Sequence, residues 1–161
     1  MMDLITRLFT RAEPALSEAT ARDAAAMAAL HAASFRRGWS DGEFERLLAD
    51  SAVIAHRAMS GRALVGFIIA RRAASEAEIL SVAIAASWRG RGLARAMLHL
   101  HLRRLACLGT QAVFLEVDDD NVAACRLYRK AGFHEVGRRE GYYRNEAGHA
   151  STALVLRRDL A

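Results

Sequence analysis

Two spacings of apolar residues alternate along this chain, one of about two residues and one of about 3.6, and together they lay out its elements. Ala15–Thr20 reads as a short first strand. Thr20 then caps a helix with Asp23 in its first turn, running through Met27, Leu30 and His31 towards Phe35. Ser40 and Glu43 have capping-box spacing, and Trp39 and Phe44 stand at the two staple positions. A second helix therefore begins there and keeps Phe44, Leu47 and Leu48 on one side. Ala52–Met59 and Leu64–Ala70 are strands joined at the hairpin signal Ser60-Gly61, and Glu76–Ile84 is a third strand of that group. The period then changes: Ala94, Leu98, Leu102 and Leu105 form one helical stripe, Arg95, His99 and Arg103 the opposite one, and Gly109 ends the helix. Ala112–Val117 is a strongly apolar strand, Asn121–Ala131 a helix stopped by Gly132, and Phe133–Gly137 and Thr152–Leu156 the last two strands. Tyr142 and Tyr143 fall in the hairpin connection between those two. The strand–helix–strand unit from Glu76 to Val117 requires a right-handed crossover, which makes its two strands parallel. The order predicts an α/β fold with a mixed central sheet and helices on both faces.

Composition narrows the class. At 161 residues the chain has the size of one domain, with Met1–Pro14 as a peripheral lead-in that lacks the long apolar core of a secretory signal. Hydrophobic residues at 53% suffice for a core, and charged residues at 25% argue against disorder. The longest apolar run, Leu64–Ala70, is far too short to cross a bilayer. Cys107 and Cys125 have no CxxC or histidine spacing, so we expect a reduced, cytoplasmic protein without a metal site. The net charge of +5 comes from residues scattered along the whole chain, which suits an anionic cofactor better than a nucleic-acid footprint.

One turn carries chemistry. Trp88-Arg89-Gly90-Arg91-Gly92-Leu93-Ala94 links a strand to a helix, where unpaired N–H groups and a positive dipole end can meet a phosphate. Glycines allow close backbone approach, and Arg89 and Arg91 add charge. Neither a GxGxxG nor a Walker lysine motif is present.

Arg89-x-x-Gly92-x-Ala94 fits the Q/R-x-x-G-x-G/A motif of the GNAT acetyltransferases. The strand Ile79-Leu80-Ser81-Val82-Ala83-Ile84 before it, then Leu115-Glu116-Val117, Asn121 and Leu127-Tyr128-x-x-x-Gly132-Phe133, follow that family's order. With Trp39-Ser40 and Gly141-Tyr142-Tyr143, the chain most resembles the RimI-type members, which acetylate the amino-terminal alanine of a small-subunit ribosomal protein. Two departures stand near the expected acceptor site: the acidic run Asp118-Asp119-Asp120, and Arg144 where many relatives have proline.

The resemblance implies a GNAT fold of about seven strands in a mixed sheet. It implies acetyl-CoA as co-substrate, with backbone groups of Val82, Ala83 and Ile84 on the pantetheine arm. Arg89, Gly90, Arg91, Gly92, Leu93 and Ala94 would hold the pyrophosphate, and Asn121 would touch the cofactor, though capping alone also explains Asn121. It implies Glu116 as general base and Tyr128 as the acid that protonates the departing thiolate. Read from the residues only, Glu116 is a strand-end glutamate and Tyr128 an amphipathic core tyrosine. Trp39, Tyr142 and Tyr143 would face a protein amino terminus. Cys125, His99, His101 and His134 read as structural. The alternatives are an acetyltransferase for small amines, a non-catalytic acetyl-CoA-binding module, and, on charge alone, a nucleic-acid binder.

Overall fold

The computed structural model describes residues 12–160, so most of the lead-in, residues 1–11, lies outside the described residues. The elements are β1 (Ala15–Glu18), α1 (Ala24–Ser34), α2 (Asp41–Ala49), β2 (Val53–Ser60), β3 (Ala63–Ala73), β4 (Glu76–Ile84), α3 (Leu93–Cys107), β5 (Ala112–Asp118), α4 (Val122–Lys130), β6 (His134–Arg144) and β7 (Ala150–Asp159). They form a seven-stranded sheet in the order β1-β2-β3-β4-β5-β7-β6. The β4–β5 pair is parallel, as the crossover through α3 requires, and every other pairing is antiparallel. Among the described residues no helix is long and apolar enough to cross a membrane.

The pleat splits the core in two. Alternate residues of β3 point to opposite faces, so Ile68 and Ala70 join a cluster with Met97, Leu98 and Leu105 of α3 and Leu115 and Val117 of β5. Phe67 and Ile69 join Met27 and Ala28 of α1 and Phe44 of α2 on the other face. We call these the α3/α4 face and the α1/α2 face. The capping box at Ser40 is made as expected: Glu43 N donates to Ser40 Oγ at 3.2 Å, and Ser40 N to Glu43 Oε2 at 2.6 Å. The Trp39 and Phe44 rings meet at 5.4 Å between centroids, which fixes the entry to α2. Phe44 is fully buried, so truncation to alanine would cost about 3–5 kcal/mol.

Three features differ from the sequence reading. Thr20 opens a 3-10 turn, Ala21–Asp23, ahead of α1; Asp23 accepts from Thr20 N and pairs with Arg57 of β2. β3 runs on through Arg71 and Arg72, because Arg72 reaches the Thr110 hydroxyl at 3.3 Å and the Leu108 carbonyl at 2.6 Å. β6 does not stop at Gly137 but continues to Arg144, so Tyr142 and Tyr143 lie in the strand and not in the connection. It is the sheet's edge and is exposed along most of its length, so no apolar alternation marks it.

A buried histidine pair, 45 residues apart in sequence, joins β2 to α3. His56 Nδ1 and His101 Nδ1 are 2.8 Å apart, so one ring donates and the other accepts. His101 Nε2 has no partner. Burial, and then the neighbouring His56, hold His101 down at about 3; burial also lowers His56, opposed by Glu18 and helped by Arg104. Both rings are thus neutral in the fold and take up protons below about 6.5 once unfolded. The pair's contribution is complete above that value and is lost as pH falls from about 6.5 towards about 3. Each proton taken up on unfolding gives a slope of about 1.4 kcal/mol per pH unit. Urea unfolding at several pH values should show this slope, and His101→Leu should flatten it; an unchanged slope in the variant would contradict the assignment.

Candidate active site

The parallel pair that holds the two halves of the sheet together is short. Glu76, Ala77 and Glu78 stand opposite Ala112, Val113 and Phe114, and beyond them β4 and β5 part. β4 stays with β3 as far as Ile84 opposite Gly66, and β5 stays with β7 as far as Asp118 opposite Ala153. Leu80 is an extra residue in β4: Ile69 faces Ser81 while Ala70 faces Ile79. Past Leu80 the edge of β4 turned towards β5 therefore has no strand partner; Val82 and Ile84 present backbone groups there, while Ala83 between them is bonded to β3 opposite Phe67. Backbone groups in that position need water or a ligand.

At the mouth of this opening the chain makes the Gly-rich turn. Gly90 and Gly92 have φ of 71° and 80°, and a Cβ built on either would meet nothing within 4 Å, so backbone conformation rather than space calls for glycine. Gly92 is the N-cap of α3 and no side chain caps it, which leaves the first-turn N–H groups of the Leu93-Ala94 end without a side-chain acceptor. The two arginines of the turn make different contacts. Arg89 Nε donates to the Ile84 carbonyl at 3.0 Å and so ties the turn to β4. The Arg91 guanidinium lies 5.1 Å from the Trp88 ring centre.

Glu116 and Tyr128 lie on opposite faces of the sheet. Leu115 and Val117 belong to the α3/α4 core, so Glu116 between them projects to the α1/α2 face. Its side chain is 28% exposed, and Oε1 is 3.2 Å from Arg139 of β6. The paired charge shows how a carboxylate sits in this strand without being isolated. Tyr128 belongs to the α3/α4 core beside Phe133, with ring centres 5.8 Å apart. Burial, and then the nearby Cys125, push its hydroxyl up to about 12, so it carries its proton at neutral pH. Asn121 caps α4, its Oδ1 accepting from Ala124 N at 3.2 Å.

β6 brings a second group to the α1/α2 face. Its ladder shifts between Arg139 and Tyr143, where Glu140, Gly141 and Tyr142 together face only Thr152. The bulge sets Tyr142, half exposed, against Arg139 at 5.3 Å and against Tyr143 at 5.2 Å. Burial, and then the carboxylates of Glu116 and Asp118, push the Tyr143 hydroxyl up. Arg36, from the segment between α1 and α2, donates to the Arg144 carbonyl at 2.7 Å and closes one side of this surface. Arg139 was missed in the sequence because β6 was ended at Gly137. Trp39 stacks on His31 at 4.5 Å between centroids and borders a cavity of about 470 Å³ with Glu43, Arg46, Leu47, Asp50 and Arg71.

The acidic run is a turn held by its own side chains. Asp118 Oδ1 accepts from Asp120 N, Asp119 Oδ1 accepts from Thr152 N, and Asp120 lies 3.8 Å from His149. Cys125 is buried, its thiol 3.6 Å from the Asp118 carbonyl; burial pushes the thiol up, which is unfavourable for a nucleophile.

Residues 24–133 match the model of the Acetyltransferase (GNAT) family. The chain belongs to this family. It is 37% identical over 125 residues to N-alpha-acetyltransferase RimI of Mycobacterium tuberculosis, covering 75% of each chain. It is 33% identical over 93 residues to the [ribosomal protein bS18]-alanine N-acetyltransferase of Haemophilus influenzae, covering 58% of this chain and 63% of that one. Another curated relative, 33% identical over 125 residues, is longer, and this chain spans 33% of it. Among solved structures, the ribosomal-protein-S18-alanine N-acetyltransferase of Escherichia coli superposes with a TM-score of 0.85 at 23% identity, over 92% of this chain and 94% of that one. The GNAT fold expected from the sequence is therefore the fold observed.

The two cysteines provide a check on the α4 packing. Iodoacetamide should add once to the native protein, at exposed Cys107, and twice after unfolding. Intact-mass spectra with two adducts under native conditions would place Cys125 outside the core.

Proposed function

We propose that the protein transfers the acetyl group of acetyl-CoA to the amino-terminal α-amine of a protein, with alanine as the first residue and a small-subunit ribosomal protein as the natural acceptor. The observation that carries this reading is the β4–β5 opening, with a carboxylate on one face of the sheet and a protonated tyrosine on the other. The RimI-named relatives, one of them matched over three quarters of both chains, support the acceptor class.

Acetyl-CoA, which solved structures of this fold hold, supplies an activated acetyl thioester. The uncapped start of α3 suits its pyrophosphate: N–H groups and the dipole end favour an anion there. The free edge of β4 at Val82 and Ile84, on either side of Ala83, suits the pantetheine amides and gives N–H donors for the carbonyl oxygen as charge develops. Asn121 borders that side from the start of α4. On the α1/α2 face Glu116 accepts the proton from the attacking amine, which has a pKa near 8 and is partly protonated at neutral pH. On the α3/α4 face Tyr128 gives its proton to the departing sulfur and is restored from solvent. Tyr142 and Tyr143 offer a rigid apolar wall with polar tips to a peptide backbone. The localisation that goes with this reading is the cytoplasm, where ribosomal proteins are made.

Incubation with acetyl-CoA and peptides beginning with alanine, serine or methionine, an internal-lysine peptide and a polyamine, read by mass spectrometry, tests the acceptor. Alanine amino termini should react in preference to the rest; reaction confined to the polyamine would move the function to small amines. Glu116→Gln should lower kcat by at least about 100-fold and leave the Kd for acetyl-CoA within about twofold. Tyr128→Phe should also lower kcat while the fold is kept, and a full-rate variant would remove it from the reaction.

A further inference from the structure

Ser81 is a buried serine with no hydrogen-bond partner for its hydroxyl. It is 8% exposed, and its Oγ is fully buried. A hydroxyl left so forgoes the bonds it makes with water, which disfavours the fold unless the group has another use.

Its position suggests the use. Ser81 stands directly opposite Ile69, and directly opposed residues of an antiparallel pair share a face. Ile69 packs with Phe67, Ala55 and Ala83, so Ser81 faces the α1/α2 side, the same side as Glu116. The level also agrees. From the last parallel pair, Glu78 and Phe114, Glu116 lies two residues further along β5. Ser81 lies three further along β4, and one of those, Leu80, is the bulge. The bulge is thus what turns Ser81 to this face; with regular alternation from Ile79, which joins the α3/α4 core, it would have faced the other way. By register the two residues lie on the same face of neighbouring strands, just past the point where the strands part.

We propose that Ser81 is a positioning residue whose hydroxyl, turning about χ1 from its buried position into the opening, holds the water through which Glu116 takes the acceptor's proton. The proposal rests on the acetyl-transfer reading of the site. As the amine nitrogen bonds to the acetyl carbon, its proton passes to this water and a water proton passes to the Glu116 carboxylate. The carbon–sulfur bond then breaks, with the proton for sulfur coming from Tyr128, and both side chains are reset through solvent. Arg139 fits this route. It engages one oxygen of Glu116, so the amine need not displace a paired cation to lose its proton.

The test is a pair of variants, Ser81→Ala and Ser81→Thr, assayed with acetyl-CoA and the alanine peptide, with thermal unfolding and acetyl-CoA titration alongside. Ser81→Ala should lower kcat by about tenfold or more, with an unchanged Kd for acetyl-CoA. Its unfolding midpoint should stay at or above that of the wild type, since an unpartnered hydroxyl is removed. Ser81→Thr keeps the hydroxyl and should retain most of the rate. A fully active Ser81→Ala enzyme would overturn the proposal, as would a loss of rate that tracks a loss of stability and is not relieved by threonine. A wild-type protein that acetylates no amine would instead overturn the functional reading itself, and this role with it.

Discussion

Three parallel residue pairs decide what this molecule can do. If β4 and β5 stayed paired along their length, the sheet would be closed, and every backbone group between Ile79 and Ile84 would be used. The strands part after Glu78 and Phe114 instead. Each is then held by its outer neighbour, β4 by β3 and β5 by β7, so the sheet remains continuous while its middle opens. The N–H and C=O groups left on β4 are a fixed polar surface inside an apolar fold. They suit a ligand that is itself extended and amide-bearing.

In the proposed reaction the opening also accounts for the placing of acid and base. A sheet separates its two faces by the thickness of the backbone, so groups on opposite faces do not ordinarily meet. Here Glu116 projects to the face of α1 and α2, and Tyr128 belongs to the core beneath α3 and α4. Only a gap between strands lets one bound molecule be reached from both. The two environments suit opposite tasks. The carboxylate is partly exposed and paired with Arg139. The phenol is buried, and burial keeps its proton on.

Much of this was legible in the sequence, and for identifiable reasons. The elements from β2 to α4 announced themselves because they alternate or repeat against a core; the capping box at Ser40 and Glu43 was readable because capping is local. The glycines at 90 and 92 were rightly tied to a special turn, which their positive φ explains. What failed was long-range or edge-bound. β6 carries no apolar alternation, so its continuation to Arg144 was invisible, and Arg139 with it. The partners of Arg89, His56 and His101 are set by packing between elements far apart in sequence or at a turn, and no spacing rule reports them. Trp39 marked a helix start correctly, and its ring packs on His31 and Phe44.

The bulge at Leu80 ties the core of β4 to the opening. A single extra residue exchanges the faces of all that follow it in β4. Ahead of it, Ala77 and Ile79 point to the α3/α4 core; after it, Val82 and Ile84 do so, and Ser81 and Ala83 take the other face. Without the bulge a serine would be driven into the core under α3, and Val82 and Ile84 would turn towards α1. The sequence Ile-Leu-Ser-Val-Ala-Ile has no strict alternation, since two large residues precede the serine and only one separates it from alanine. That irregularity is what a bulged strand requires. The same residue that breaks the pattern therefore keeps the core apolar and brings a hydroxyl to the face that carries Glu116.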